Sequence, residues 1–307
     1  MFFKTSTPAV IPSRLDIFNE IKGMHTVGSK GLMDRLPHYF PIAEDSTGAI
    51  GKLSQVAWGD TISNEILAGV GGVTNLNIVA KKRLGGAILM DQNERQAVFW
   101  KELFSVVEQS SSRFEFVEKM IDRKMIVRLD DKKFHLDREN GYQDVQYQVE
   151  AAQLLRRQLQ EHDSWLGSDA SFLHIKRLVE NHRFGMVSLD FIQDGNTVKA
   201  IREQIDKMGK YHSESGQKIP GTGPRVKVLY LSNLQEVINL SKSPLAYGKD
   251  FQGREMPSNA DELLFDNVKT LGSKDTKVIA APAVGVCGYE CSIYDIDSFV
   301  GEKCLRR

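Results

Sequence analysis

Residues 65–96 read EILAGVGGVTNLNIVAKKRLGGAILMDQNERQ, and the fold of the chain turns on how they are parsed. Residues 65–68 are a short apolar run, Gly69-Val70-Gly71-Gly72 is a glycine turn, and residues 74–83 have helical spacing. A second apolar run, 86–90, ends on an acid, Asp91. Strand, glycine turn, helix, strand and terminal acid form one βαβ unit of the nucleotide-binding kind. Glycines allow a tight turn and a close approach to a ligand, and the helix N-terminus presents N–H groups with no partner of their own. A carboxylate roughly 20 residues on can hold a ribose diol. The turn, G-V-G-G-V-T, lacks the final glycine of G-x-G-x-x-G, so nucleoside binding is expected on a variant of that fingerprint.

Outward from this unit the α/β pattern continues. After Asp91, apolar residues Val98, Phe99, Leu103, Val106 and Val107 fall on one helical face. Residues 111–170 are polar and charged, with helices expected at 114–121 and 147–160. That stretch exceeds a normal βα connection and reads as a helical insertion that shapes an entrance or partner surface, or simply decorates the surface. Strands are then expected at 185–191, 225–231, 276–281 and 289–294, with helices at 170–181, 197–208 and 257–271. The last two strands, joined by a short Pro/Gly region, predict an antiparallel pair closing an otherwise parallel sheet. Residues 1–58, broken by Pro8, Pro12, Pro37 and Pro41, read as an accessory segment, and Tyr39, Phe40 and Trp58 are candidates for a lid. Residues 59–307 are expected to form the nucleoside-binding domain.

Bulk properties narrow the function. Forty basic and forty acidic residues among 307 give a formal net charge of zero, which disfavours a generic nucleic-acid binder. No apolar run approaches the ~20 residues of a membrane helix. Three cysteines cannot pair fully, which points to a reducing compartment, and a cytoplasmic location is expected. Cys287 and Cys291 lack a second close Cys/His pair, and His174 and His182 are eight residues apart, so no metal site is expected. No G-x-S-x-G is present to support a hydrolase triad.

With the closing strand pair in place, the chain resembles the class I S-adenosylmethionine-dependent methyltransferase superfamily over residues 65–294. In that family a glycine-rich first turn is followed by an acid ending the second strand, an acidic or polar motif ending the fourth, and a C-terminal strand hairpin. Gly69, Gly71, Gly72, Asp91, Asp190 and residues 276–294 look like those positions. The D-x-N-x-x-Q form of Asp91-Gln92-Asn93-Glu94-Arg95-Gln96 is also similar to a branch that includes 3-amino-3-carboxypropyl transferases. Leu189-Asp190-Phe191 together with Tyr230-Leu231-Ser232-Asn233 looks like an uncharacterised methyltransferase-like branch. The first turn lacks the acid-G-x-G-x-G core and no N-P-P-Y motif is present, which disfavours methylation of DNA-base amino groups.

The resemblance implies a Rossmann-like, mostly parallel sheet that binds S-adenosylmethionine and transfers its methyl group. Gly69, Gly71 and Gly72 would pass close to the methionine part, and Thr74 and Asn75 would orient its carboxylate through N–H groups. Asp91 would accept the ribose hydroxyls, with Gln92, Asn93 and Gln96 adding hydrogen bonds nearby. Asp190 and Phe191 would line the site, Asp190 being the candidate base, a binding partner, or no more than a helix N-terminal charge. Ser232 and Asn233 are read first as a helix cap, and Tyr211 and His212 are weaker candidates. The acceptor is expected to be a small molecule or a protein. Aminocarboxypropyl transfer, NAD-dependent oxidoreduction and a non-catalytic scaffold are the alternatives.

Overall fold

Strands built almost wholly from apolar residues are stable only when both faces are covered. That condition is met in the computed structural model of the chain, which describes residues 65–92, 94–123, 145–208, 224–232, 234, 238, 255–280 and 292–299. In chain order the elements are β1 (Glu65–Val70), α1 (Thr74–Lys82), β2 (Ala87–Asp91), α2 (Glu94–Glu108), α3 (Arg113–Asp122), α4 (Val145–Gln158) and α5 (Asp169–Glu180). They continue with β3 (Phe184–Ser188), α6 (Gly195–Met208), β4 (Arg225–Tyr230), α7 (Ala260–Leu271), β5 (Lys277–Ala280) and β6 (Ser292–Asp295).

The six strands form one sheet in the order β3-β2-β1-β4-β5-β6. The first five run parallel, and β6 is antiparallel to β5, Ile279 facing Ile293. This is the mostly parallel Rossmann-like α/β sheet with a C-terminal antiparallel pair expected from the sequence. Side chains alternate between its faces. Leu67, Leu89, Met186, Val228 and Tyr230 pack under α1, α2 and α5, while Ile66, Ala68, Ile88, Met90 and Leu229 pack under α6 and α7. Each Leu, Ile, Val or Met side chain among these, fully buried, contributes about 1.5–3 kcal/mol.

Within residues 111–170, Phe116, Val117, Met120, Leu155, Trp165 and Leu166 belong to the core of the first face. Phe116, Trp165 and Phe172 are almost wholly buried and form an aromatic cluster, with Phe116 and Trp165 centroids 5.0 Å apart in an edge contact. The Trp165 backbone N–H donates to Asn77 Oδ1 on α1 at 2.8 Å, which ties this stretch directly to the glycine-turn helix. Arg113 donates to the carbonyls of Leu159 and Leu166 and to Asp169. Ser112 caps α3, accepting from the Glu115 N–H, and Glu115 returns the bond to the Ser111 N–H.

Two sharp stops align the strands. α1 ends on Arg83 at φ 53°, with Leu84 N–H donating to Val79 O. α5 ends similarly on His182 at φ 52°, with Arg183 N–H donating to Leu178 O. His174, on α5, donates through Nε2 to Leu84 O at 3.0 Å, and burial holds its pKa below the ordinary histidine value. β2 and β3 thus start side by side and bring their C-terminal ends to one edge. Among the described residues no helix is long and apolar enough to cross a membrane, and no group of His, Cys, Asp or Glu has metal-binding geometry. The accessory segment 1–58 and Cys287, Cys291 and Cys304 lie outside the described residues.

Candidate functional site

β1 and β4 are neighbours in the sheet, yet the chain leaves β1 for the α1 face and reaches α7 on the other face after β4. At such a switch point the connections diverge and open a crevice at the C-terminal ends of the strands. The glycine turn follows β1, Asp91 ends β2, and Leu231-Ser232 follow β4, so all three border this edge.

The glycine turn is held from inside. Asn75, fully buried, donates through Nδ2 to Gly72 O at 2.9 Å, Gly71 O at 3.3 Å and Val70 O at 3.4 Å. Its Oδ1 lies 1.8 Å from the position a Cβ on Gly69 would take, so Gly69 is glycine because Asn75 fills that space. Gly71 adopts φ 89°, a conformation that side chains resist, and its N–H donates to Met90 O at 3.0 Å, joining the turn to the end of β2. The Asn75 N–H donates to Gly72 O at 3.2 Å, so it is not the free donor expected to orient a carboxylate. The N–H groups of Gly72, Val73 and Thr74 donate to no backbone acceptor among the described residues, and the Thr74 side chain is buried. These three are the open donors of the α1 start.

Asp91 is half-buried, and its carbonyl accepts from Leu189 N–H at 2.9 Å. Gln92 is half-buried beside it, while Gln96 turns inward from the first turn of α2 and is 4% exposed. Asp91, Gln96, Trp100 and Ser188 border a cavity of about 190 Å³, open mouth included, whose other walls are apolar. Asn93 lies outside the described residues, as do Asn233, Tyr39, Phe40, Trp58, Tyr211 and His212.

Asp190 and Phe191 follow β3, at the edge of the sheet beside β2. Two strand spacings separate β3 from β1, roughly 10 Å, so Asp190 does not stand across the crevice from the glycine turn. Asp190 Oδ1 accepts from the N–H groups of Ile192 (3.0 Å) and Gln193 (3.2 Å), which is a turn-capping geometry leading into α6. Phe191 is buried in the core of the second face, and its carbonyl accepts from Asn267 Nδ2 at 2.8 Å.

The residue that does face the turn is Ser232, read from sequence first as a cap. It is 5% exposed, its Oγ lies 3.4 Å from where a Cβ on Gly71 would sit, and its φ of 50° is unusual for a side-chain-bearing residue. Its only sequence signal was its place directly after an apolar strand. Trp100 was missed altogether, because in sequence it is one more apolar position on α2.

A family model described as Domain of unknown function (DUF7790) matches residues 55–277. No curated protein matches the chain. Among solved structures, the rRNA methyltransferase aviRa from Streptomyces viridochromogenes is similar at a TM-score of 0.38 and 12% identity, over 91% of each chain.

Proposed function

The chain belongs to that family of unknown function, and we propose that it is a methyltransferase-like protein that binds S-adenosylmethionine at the C-terminal edge of the sheet. The observation that carries this reading is that the glycine turn at the end of β1, Asp91 at the end of β2 and Ser232 just after β4 share one edge of the sheet, with Ser232 Oγ 3.4 Å from a Cβ position on Gly71. The residues fit the chemistry of such a ligand. The N–H groups of Gly72, Val73 and Thr74 suit a carboxylate, and the Asp91 carboxylate suits a ribose diol. Gln92, Asn93 and Gln96 are proposed to add contacts around the sugar. When bound, the cofactor supplies an electrophilic methyl carbon, and the protein's part is to align an acceptor with it and exclude water. Ser232, which faces Gly71, is proposed to border the approach of the acceptor, while the Asp190 carboxylate supports the turn after β3. The acceptor is proposed to be a small molecule or a protein, from the balanced charge of the chain, and a cytoplasmic location is proposed from its cysteine content.

Calorimetry with S-adenosylmethionine and S-adenosylhomocysteine is the test. Binding is expected, and Asp91→Ala is expected to weaken it about 10- to 100-fold, the loss of hydrogen bonds to a charged group. No binding of either at millimolar concentration, with NAD bound instead, overturns the reading in favour of an oxidoreductase. Product analysis with candidate small molecules, proteins and RNA separates methyl transfer, which leaves S-adenosylhomocysteine, from aminocarboxypropyl transfer, which leaves methylthioadenosine. The internal filling of Gly69 by Asn75 favours one second reading, a scaffold that binds without turnover. Cofactor binding with no product from any acceptor class is its signature.

A further inference from the structure

The cavity beneath the start of α2 is bordered by Trp100, which carries a buried donor that no described residue satisfies. Trp100 is 2% exposed and its Nε1–H has no hydrogen-bond partner among the described residues, although a buried donor left unpaired costs about 1–3 kcal/mol. The ring cannot turn to find one easily, because it is stacked on Phe104 at 5.5 Å and 28°, and Phe104 on Phe184 at 4.6 Å and 30°. Trp100 stands one helical turn from Gln96 on the same face of α2, and both border the cavity with Asp91 and Ser188. The cavity is open on one side and has room inside for a water-sized group.

A donor-only indole N–H, an amide that donates and accepts, and a carboxylate that only accepts make a distinctive set. A phosphate oxygen meets the Asp91 charge, and a methyl group leaves the indole unpaired. A hydroxyl-type oxygen satisfies all three, since it accepts from Trp100 and from the Gln96 amide and donates to Asp91. We propose that this cavity receives one such oxygen, either a ribose hydroxyl of the bound nucleoside or an ordered water bridging to it, and that Trp100 is thereby a positioning residue for the ribose subsite. The proposal rests on the nucleoside-binding reading above and adds to it a residue and a chemical preference, hydroxyl over phosphate or deoxy.

The test is Trp100→Phe, which keeps an aromatic ring against Phe104 and removes only the donor. Its affinity for S-adenosylhomocysteine by calorimetry is expected to fall about five- to tenfold, the range of one lost hydrogen bond. Trp165→Phe is the control, because Trp165 Nε1 is also buried without a partner among the described residues but sits in the aromatic cluster of Phe116 and Phe172. Its affinity is expected to stay at the wild-type value. A loss confined to S-adenosylhomocysteine and absent for its deoxyribose analogue assigns the oxygen to the ribose, and an equal loss for both assigns it to water. Wild-type affinity in Trp100→Phe overturns the proposal while leaving the nucleoside reading intact, whereas a wild-type protein that binds no S-adenosylhomocysteine overturns both. If Trp100→Phe does not fold, Trp58→Phe/Trp165→Phe leaves Trp100 as the only tryptophan. Its emission is expected to shift on adding S-adenosylhomocysteine, and constant emission at saturation, established by calorimetry on the same variant, overturns the proposal.

Discussion

Gly69 offers a direct way to separate a glycine that serves the fold from one that serves a ligand. In Gly69→Ala the new methyl would sit 1.8 Å from Asn75 Oδ1 and 2.8 Å from its Cγ. Asn75 has nowhere to retreat, being fully buried with its amide on three carbonyls of the turn. Relief of the clash must therefore break at least the 2.9 Å bond to Gly72 O, about 1 kcal/mol net, and overpack the site by about 1–3 kcal/mol. A destabilisation of about 3 kcal/mol is expected, read as a lower urea midpoint at unchanged slope and as a melting temperature lower by roughly 5–10 °C. Asn75→Ala alone should cost about 2 kcal/mol through the carbonyls it leaves unpaired. In the double variant the two methyls fit, so the combined loss should fall short of the sum by about 2 kcal/mol. Additive losses refute the packing argument. So does a Gly69→Ala protein of wild-type stability that has lost only ligand affinity, for that glycine would then be reserved for the ligand.

Two further outcomes follow from particular contacts. Lys176 Nζ closes the C-terminal end of α2 by donating to Glu108 O (2.6 Å), Ser110 O (2.8 Å) and Val107 O (3.3 Å), so Lys176→Met should lower unfolding free energy in urea by about 2 kcal/mol. His174 is held neutral by burial, its folded pKa lying below its unfolded one. Its contribution is therefore present above about pH 6.5, and is lost as pH falls through the folded value. Melting temperature should drop on acidification in the wild type, with a smaller part of that drop in His174→Gln; identical pH profiles for the two proteins exclude His174 as a source.

The local units of this protein were legible in its residues because they depend on neighbours in sequence. The βαβ unit of residues 65–91, the apolar strands and the antiparallel closing pair all follow from periodicity, glycine placement and strand-end polarity. Which strand lies beside which is not a local property, and the place of Asp190 in the sheet depends on it. The same acid-ended strand can stand beside β1 or at the sheet edge, and the crossover packing chose the edge. The glycines illustrate the same division. Sequence marks Gly69 and Gly71 as special, but only packing shows that Asn75 occupies the space over Gly69 and that Ser232 faces Gly71. Trp100 was invisible as a candidate because an indole on an apolar helix face is read as core, and its unpaired N–H exists only once α2 lies on β2 and β3. Sequence by itself determined the elements and their glycine and acid punctuation, since these are set by short-range sterics and hydrogen bonding. Tertiary structure decided which side chains meet at the crevice, since that depends on strand order and on space shared by residues far apart in the chain.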